Sequence, residues 1–361
     1  MPELKPFLKS LISLPGLSGY EDPVRTAIAD AWRPLVDELT VSPLGSLHGL
    51  QRGSGAEPRP RILLAAHMDA IGMMVTGITP EGLLRFTEVG GVDPRILPST
   101  PVVVHASRGE LRELPGIIAQ PPDRLLPKSQ AGKPPKIEYL LVDTGLEAEE
   151  VQAAVRVGDL VSFGTEPLEL SGDTLAGHTL DNRASVAAVT VALEELTRTR
   201  HAWDVYAVAT VQEEESLAGA YTSPFSIRPQ LAVAIDVTFA KGPGASDWRS
   251  YPMNKGVTLD WGPNVHPALF NAFKEQAERL DLSVNLAVHP QYSGTDAMGI
   301  QIVAEGIPTM VLSIPLRYMH TPVEMVALKD ITRTGRLMAA FIAGLEPDFM
   351  STTMRWEEDH D

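Results

Sequence analysis

The 361-residue sequence contains no cysteine. Disulfides, thiolate metal sites and cysteine nucleophiles are therefore excluded, so any metal ion must be bound by His, Asp or Glu side chains. The 30 Lys and Arg residues are outnumbered by 46 Asp and Glu residues. The resulting net charge of −16, with no basic block to offset it, argues against nucleic acids and anionic membranes as partners.

Long apolar runs are also missing. No segment approaches the length that spans a membrane, and the N-terminal residues lack the apolar core of a signal peptide. The Gly-x-Ser-x-Gly motif of serine hydrolases is absent as well. We therefore expect a cytoplasmic protein with no membrane partner, in which any catalytic site is built from His, Asp and Glu.

Strand-like and helix-like segments alternate in the two end regions of the chain, residues 1–70 and 166–361. This alternation predicts an α/β domain with a doubly wound sheet. Between residues 71 and 165, short β-type runs alternate with Gly and Pro, which predicts a small β-barrel-like domain inserted into the α/β domain. Within the insert, Gln120–Lys136 is rich in Pro, Lys, Gln and Gly, and we expect a mobile loop there.

The same patterns predict individual elements. Ser18 and Glu21 have the spacing of a capping box, which predicts a helix over residues 22–36. Further helices are predicted at residues 147–155, 184–196, 267–280 and 328–342. Buried strands are predicted at residues 61–66, 205–211, 231–235 and 309–314. Within the insert, the β-type runs are residues 83–86, 101–104, 111–114, 116–119, 138–142 and 160–163.

Residues that commonly bind metals recur at the ends of the predicted strands. His67, the pair Glu213 and Glu214, Asp236 and His320 follow four buried runs directly or after a short loop, and Asp181 opens a helical segment. In open α/β sheets the carboxyl ends of the strands are where catalytic groups collect. Two histidines and three carboxylates, counting only one of the two glutamates as a ligand, leave one positive charge against two divalent cations, which a bridging hydroxide would neutralise. This balance favours a two-metal hydrolase.

Each of these residues also has a simpler interpretation. His67 and Asp69 form a His-x-Asp pair on one side of an extended chain, in which Asp69 could orient the imidazole of a metal ligand. The alternative is a buried polar pair. Asp181 could bridge two cations from a rigid helix start, but a lone Asp at that position is more often a helix cap.

The remaining candidates are equally weak when taken singly. Glu213 and Glu214 are consecutive at a predicted strand end, where neighbouring side chains face opposite ways, so one could be a ligand and the other a general base. Asp236, at the predicted end of its strand, could be a turn former. His320 could be a polar surface residue. Their convergence on one sheet edge is what favours a metal site.

Seven segments together resemble the tetrahedral (TET) aminopeptidases, the glutamyl-aminopeptidase-like family of di-metal exopeptidases. The likeness covers nearly the whole chain. The segments that carry it are Pro15–Glu21, His67–Gly72, Val142–Gly145, Leu180–Arg183, Thr210–Glu214, Ser293–Ala297 and Ile314–Glu324. Departures from the usual family pattern at Ala70, Ser185 and Glu215–Ser216 leave every metal ligand and the base in place.

The resemblance implies a zinc-exopeptidase-like α/β fold with a mixed sheet, whose inserted β domain serves oligomerisation into a hollow tetrahedral dodecamer. It implies removal of N-terminal residues from peptides with a free N-terminus, with two divalent ions per subunit, zinc or cobalt. The implied roles are His67 and Asp236 for one metal, Glu214 and His320 for the other, Asp181 as the bridge, Asp69 as the residue that orients His67, and Glu213 as the general base.

Three other functions remain compatible with these residues. The first is an amide hydrolase of the same fold but another substrate class, such as a deacylase or a carboxypeptidase. The second is a glycoside hydrolase, although adjacent glutamates are poorly suited to a reaction that needs two carboxylates facing each other about 5–10 Å apart. The third is a non-catalytic scaffold, which would bind metal weakly and hydrolyse nothing.

Overall fold

The computed structural model describes residues 3–110, 112–130, 132–245 and 247–354. The helices in these residues are α1 (Leu4–Ile12), α2 (Asp22–Trp32), α3 (Ala148–Ala154), α4 (Leu180–Leu196), α5 (Glu213–Ser216), α6 (Ala218–Ile227), α7 (Pro267–Arg279), α8 (Ala297–Ile300), α9 (Leu328–Ala343) and α10 (Phe349–Thr352). None of them is both long and apolar enough to cross a bilayer.

The strands fall into two groups, a large sheet and a barrel. The sheet is made of β1 (Glu38–Val41), β2 (Leu47–Gln51), β3 (Arg61–His67), β10 (Leu168–Leu170), β11 (Thr174–Gly177), β12 (Asp204–Thr210), β13 (Leu231–Phe239), β14 (Val257–Trp261), β15 (Val284–Val288), β16 (Thr309–Arg317) and β17 (Glu324–Ala327). The barrel is made of β4 (Gly72–Ile78), β5 (Leu84–Val89), β6 (Pro101–His105), β7 (Glu113–Ala119), β8 (Leu141–Asp143) and β9 (Leu160–Phe163).

The large sheet runs in the order β1-β2-β12-β3-β13-β16-β17-β11-β10, with β14 and β15 attached beside β16. Strands β12, β3, β13 and β16 are parallel to one another, and the flanking strands are antiparallel. Helix α4 packs on α1, α9, β3 and β13, whereas α6 packs on α8, β12 and β3. The prediction of a doubly wound mixed sheet is therefore confirmed.

The central parallel strands are buried along almost their whole length. Residues 62–67 of β3 and 231–238 of β13 are all buried. Such strands read as continuous apolar runs because both faces of the sheet are covered by helices. These continuous apolar runs are the reason why the strands can be predicted from the sequence. Because the strands are parallel, their last residues lie at the same edge of the sheet.

The barrel closes in the order β4-β5-β8-β7-β6-β9 and has its own core. Val151 and Ala154 of helix α3 are buried in that core. The β-barrel-like character predicted for this part of the chain is confirmed. The predicted loop Gln120–Lys136 contains a short 3₁₀ turn, Asp123–Leu125, and no strand in its described residues 120–130 and 132–136.

Several predicted elements differ from the structure. The first barrel strand, β4, is not among the predicted runs, because it begins at Gly72 and Gly77 interrupts its β-type composition. The two predicted runs at 111–114 and 116–119 join into the single strand β7, and Leu111 lies outside the described residues. The predicted strand at 138–142 is a 3₁₀ turn, Ile137–Tyr139, followed by β8.

The predicted capping box at Ser18 and Glu21 is wrong. Helix α2 ends at Trp32, four residues before its predicted end, and Glu21 makes no side-chain capping bond to it. The Ser18 hydroxyl instead donates to Asp69 Oδ2 at 2.5 Å, and Glu21 Oε1 accepts from the Gly19 and Gln212 amides. The pair therefore connects this loop to the end of β3 rather than capping a helix.

Candidate metal centre

The parallel strands bring the candidate residues to one edge of the sheet. Thr210 of β12 pairs with His67 of β3, and Asp236 of β13 pairs with Ser313 of β16. Because these strands run in the same direction, the residues that follow them meet at their carboxyl ends. His320 follows β16 by a short loop. This sheet edge therefore carries the candidate side chains.

Asp181 lies between the two histidines. Its Oδ1 is 3.3 Å from Nε2 of His67, and its Oδ2 is 3.3 Å from Nε2 of His320. Glu214 Oε1 lies 3.4 Å from the same nitrogen of His320. Each carboxylate oxygen of Asp181 therefore faces a different imidazole, which is the arrangement that a bridging carboxylate requires.

Two further carboxylates face His67. Oxygens of Glu213 and Asp236 both lie 3.8 Å from His67 Nε2. Asp236 is not at a strand end as predicted, because β13 continues to Phe239 through its pairing with β16. Glu213 and Glu214 are not on a strand either: Gln212 ends the extended chain, and α5 begins with this pair. The argument from alternating strand faces therefore does not apply to them.

The spacing of the donor atoms fits metal ions better than direct hydrogen bonds. Two ligand atoms bound to one tetrahedral zinc ion at about 2.0–2.1 Å lie about 3.3–3.4 Å apart. The separations of 3.3–3.4 Å around Asp181 match this value, whereas a charge-assisted hydrogen bond would be about 2.7–2.9 Å long. Imidazole nitrogen and carboxylate oxygen are also a donor set that zinc and cobalt accept. The residues therefore fit a pair of divalent ions.

Two clusters of ligand atoms share His67. One consists of His67, Asp181 and Glu214, and the other of His67, Glu213 and Asp236, with the ligand atoms of each cluster within 4.8 Å of one another. Buried charges of one sign are costly unless cations compensate them. The clusters can therefore hold metal, and the second of them includes Glu213, the predicted general base.

Burial and neighbouring charges shift the pKa values of these groups. Burial raises the pKa of Glu213 to about 8, with a smaller contribution from Asp296, while His67 opposes the shift. Burial also raises the pKa of Asp236 well above its usual value. Burial lowers the pKa of His320, but the carboxylates of Asp181 and Glu214 outweigh that effect and raise it to about 11.

Asp69 connects the end of β3 with the start of α5. It is fully buried, and its two oxygens accept hydrogen bonds from the amides of Glu213 and Glu214 at 3.0 and 3.2 Å. Oδ1 also lies 3.5 Å from His67 Nδ1. Asp69 therefore fixes the backbone that carries both glutamates and lies beside the imidazole that it was predicted to orient.

Glu324 has an equivalent position on the other side of the centre. Its Oε2 accepts from the Asp181 amide at 3.0 Å, and its Oε1 accepts from the His320 amide at 2.8 Å. Burial raises the pKa of Glu324 well above its usual value, and these two donors oppose the shift. The sequence analysis gave this residue no role. The only indication of its importance was its place at the end of Ile314–Glu324, one of the segments that carry the family resemblance.

Asp296 is a second residue to which sequence reasoning gave no role. It is buried, and its Oδ2 accepts from the Thr210 hydroxyl at 2.6 Å. Burial raises the pKa of Asp296 to about 6. Its charge reaches Glu213 and so contributes to the electrostatics of the centre.

The backbone is left-handed where the ligand loops turn. Thr179, Gln212 and His320 have φ values of 62°, 56° and 61°. This region costs non-glycine residues free energy, of order 1–3 kcal/mol, and such residues cluster at functional sites. Tertiary contacts must therefore hold these turns in place, and two of them are the hydrogen bonds that the Gln212 and His320 amides donate to Glu21 and Glu324.

The barrel also reaches the centre. His320 Nδ1 lies 2.9 Å from the carbonyl oxygen of Gly91, and the Gly90 amide donates to Glu215 at 2.6 Å. A hydrogen on Nδ1 leaves Nε2 free to bind a metal. A methyl group on Gly91 would lie 3.0 Å from the imidazole, so glycine permits this approach.

A comparison with family models shows to which family the chain belongs. The model described as M42 glutamyl aminopeptidase matches residues 45–337. The chain belongs to this family. M42 proteins are metal-dependent peptidases, so the protein is an aminopeptidase of a metallopeptidase class.

Relatives of the M42 chain align over almost their entire length. Lysyl aminopeptidase of Pyrococcus furiosus is 36% identical over 348 residues, which cover 94% of this chain and 97% of the relative. The structure of an aminopeptidase from Desulfurococcus kamchatkensis is 34% identical, with a TM-score of 0.89 and 98% of each chain covered. The TET1 peptidase of Pyrococcus horikoshii is 30% identical, with a TM-score of 0.81, covering 95% of this chain and all of the other.

The first prediction concerns Glu324. Glu324→Gln replaces one acceptor oxygen with an NH₂ group that would face a backbone N–H, so Asp181 or His320 must move. Loss of a group that orients metal ligands commonly weakens binding by about 10–100-fold. We expect that loss in zinc affinity, measured by competition with a chromophoric chelator. Glu305→Gln, on a side chain that is 94% exposed, is the control. Zinc affinity within twofold of the wild type would contradict the role.

Proposed function

We propose that this M42 protein removes N-terminal residues from peptides by two-metal hydrolysis, with Glu213 as the general base. The observation that carries the proposal is the position of Asp181, whose two oxygens each lie 3.3 Å from a different histidine nitrogen. The proposed ligands are His67 and Asp236 for one ion and Glu214 and His320 for the other, with Asp181 between them.

Two divalent ions, zinc or cobalt, would supply Lewis acidity and make water acidic enough to react at neutral pH. The protein must then move a proton. Glu213 would accept a proton from the attacking water and deliver it to the leaving amine. Its high pKa, about 8 because of burial, favours holding that proton, and nearby cations would counteract the shift.

Two features support Glu213 rather than Asp236 as the base. Asp236 lies inside β13, between two hydrogen-bonded neighbours, where a carboxylate is held rigidly as a ligand should be. Glu213 begins the short helix α5 and has one more methylene, so its carboxylate can move between water and leaving amine. Asp69 holds the amide of Glu213 and would thus position the base.

We further propose that two parts of the chain form domains with separate roles. Residues 1–70 and 166–361 would form the catalytic domain, and residues 71–165 would form a domain for oligomerisation. Exposed apolar side chains on the insert support this, with Ile117 at 47% and Val157 at 61% exposure. The Pyrococcus horikoshii relative is described as assembling into a tetrahedron or an octahedral shell. A tetrahedral dodecamer is the assembly that we propose here.

The second prediction tests the base. Glu213→Gln removes the group that accepts the proton, so kcat on an aminoacyl p-nitroanilide should fall by about 10²–10⁴-fold. Both ions should remain bound, as measured by elemental analysis, because Glu213 is not a proposed ligand. Glu215→Gln, which keeps an oxygen for the Gly90 amide, is the matched control. Near-normal turnover would refute the base, and loss of one ion would make Glu213 a ligand instead.

The third prediction concerns metal removal. Dialysis against a chelator should abolish hydrolysis of aminoacyl amides and lower Tm, because the buried carboxylates lose their cations and ligand binding stabilises the folded state. Addition of Zn²⁺ or Co²⁺ should restore both properties. Full activity in protein shown to be metal-free would contradict the mechanism.

The same preparations distinguish the alternative functions. Cleavage of N-acetylated peptides in preference to free peptides would indicate a deacylase or another amide hydrolase. Hydrolysis of a β-glucan without metal would indicate a glycosidase. Weak metal binding with no hydrolysis would indicate a scaffold. We expect cleavage of peptides with a free N-terminus, one residue at a time.

The fourth prediction concerns assembly. Light scattering on the full chain should give a mass near twelve times the 39.0 kDa of one subunit. Val157→Asp, which places a charge on an exposed apolar position of the insert, should reduce the mass if that face is an interface. Leu286→Asp, at a position of the large sheet that is 57% exposed, is the control. A monomeric wild type would contradict the proposed assembly.

A further inference from the structure

Arg183 is a buried charge to which the proposed mechanism gives no part. Its side chain is completely buried, and it follows the proposed bridge Asp181 by two residues. Burial lowers the pKa of Arg183 to about 9, and the carboxylates of Asp69 and Glu324 oppose that shift, so the guanidinium remains charged at neutral pH. Burying a charge is costly unless the surrounding groups compensate it. The contacts of this side chain therefore need an explanation.

The guanidinium donates to main-chain carbonyl oxygens from two separate parts of the chain. Its Nη1 donates to Leu11 O at 2.5 Å and to Leu14 O at 2.6 Å, and its Nε donates to Met68 O at 3.3 Å. Leu11 lies in the last turn of α1, and Leu14 follows that helix. The C-terminal end of a helix carries partial negative charge on its unpaired carbonyl groups, which a cation compensates. The end of α1 therefore stabilises the buried guanidinium.

The third carbonyl belongs to the metal centre. Met68 follows β3 and lies between His67 and Asp69. Its amide donates to the last residue of β12 at 3.0 Å, and its carbonyl accepts from Arg183. His67 belongs to both clusters of candidate ligand atoms, and Asp69 accepts from the two amides that open α5. The backbone that carries His67 and Asp69 is therefore held by the neighbouring strand on one side and by the guanidinium on the other.

The residue before Arg183 makes a similar contact beside another candidate ligand. Asn182 Nδ2 donates to Ile235 O at 2.8 Å, and Ile235 directly precedes Asp236. His67 and Asp236 are the residues proposed to hold one ion together with the bridge. The start of α4 therefore supplies the bridge itself and contacts the backbone beside both of the other ligands of that ion.

The chain that follows α1 leaves space for the guanidinium at Gly16. A methyl group on this residue would lie 2.7 Å from Arg183 Nη2 and 2.8 Å from Val24 Cγ1, which is closer than a side-chain carbon approaches its neighbours. Because a guanidinium is planar and rigid, a displacement of Nη2 also displaces the nitrogens that donate to the three carbonyls. A substitution at Gly16 can therefore disturb these hydrogen bonds while Arg183 itself is retained.

We propose that Arg183 is a positioning residue of the metal centre, which fixes His67 and Asp69 by holding the Met68 carbonyl against the end of α1. The inference rests on the proposed two-metal function and extends it to the N-terminal helix, because a shift of α1 would move the guanidinium and the ligand together. Carbonyls in two directions suit the fork of a guanidinium, whereas an ammonium is a point charge.

The fifth prediction places a methyl group beside the guanidinium. Gly16→Ala should lower the affinity for zinc about 10–100-fold, as the loss of a group that orients metal ligands commonly does. Competition with a chromophoric chelator measures this affinity. The variant should also change the visible absorption spectrum of the Co²⁺-loaded protein, because that spectrum depends on the geometry of the ligands. A loss of stability alone would leave the spectrum of the folded protein unchanged.

Gly116→Ala in the barrel is the matched control. A methyl group on Gly116 would lie 2.9 Å from Val142 Cγ1, so this variant crowds a valine methyl group as Gly16→Ala does, but far along the chain from Arg183. We expect its zinc affinity to stay within twofold of the wild type. If Gly16→Ala left either the zinc affinity or the cobalt spectrum unchanged, the inference would be overturned. A wild type that binds no zinc would instead overturn the proposed function.

Arg183→Lys tests the need for a guanidinium. Lysine keeps the positive charge but cannot donate along the directions of both Nε and Nη1, so this variant should also bind zinc about 10–100-fold more weakly. Wild-type zinc affinity in Arg183→Lys would show that the fork does not position the ligands and would overturn the inference. If one of the two variants does not fold, the other decides.

Discussion

Buried negative charge at one edge of the large sheet is the constraint on which this structure depends. Five carboxylates there, those of Asp69, Asp181, Asp236, Asp296 and Glu324, are each less than a tenth exposed. Such a concentration of acids is unfavourable unless cations and hydrogen-bond donors compensate it. In the proposed two-metal site, divalent ions supply most of the charge, and the protein supplies the donors that keep the carboxylates converged.

Those donors come largely from the backbone and are organised by two acids that are not proposed ligands. Asp69 accepts from the amides of Glu213 and Glu214, and Glu324 accepts from the amides of Asp181 and His320. Two buried carboxylates therefore fix the chain at four of the side chains that surround the centre. The left-handed turns that precede or include these residues are strained when isolated, and the hydrogen bonds hold them.

The sequence predicted the parts of this arrangement that depend on local pattern. Continuous apolar runs identify the parallel strands, and parallel strands must bring His67 and the groups beyond β12 and β16 to one edge. It did not predict that β13 runs past Asp236, because that extension depends on pairing with β16. The role of Glu324 was missed for a similar reason. Its partner Asp181 is 143 residues away in the sequence, and a contact over that distance cannot be predicted from local sequence patterns.

The contact between Gly91 and His320 makes the barrel part of the environment of a candidate metal ligand. The carbonyl that lies against Nδ1 of this histidine follows strand β5 of the barrel, while the imidazole follows strand β16 of the large sheet. The two parts are therefore not interchangeable modules. A chimera with a foreign barrel must place a backbone oxygen at the same position, with no side chain between it and the imidazole. Without that acceptor, neither the orientation of the ring nor its tautomer is fixed.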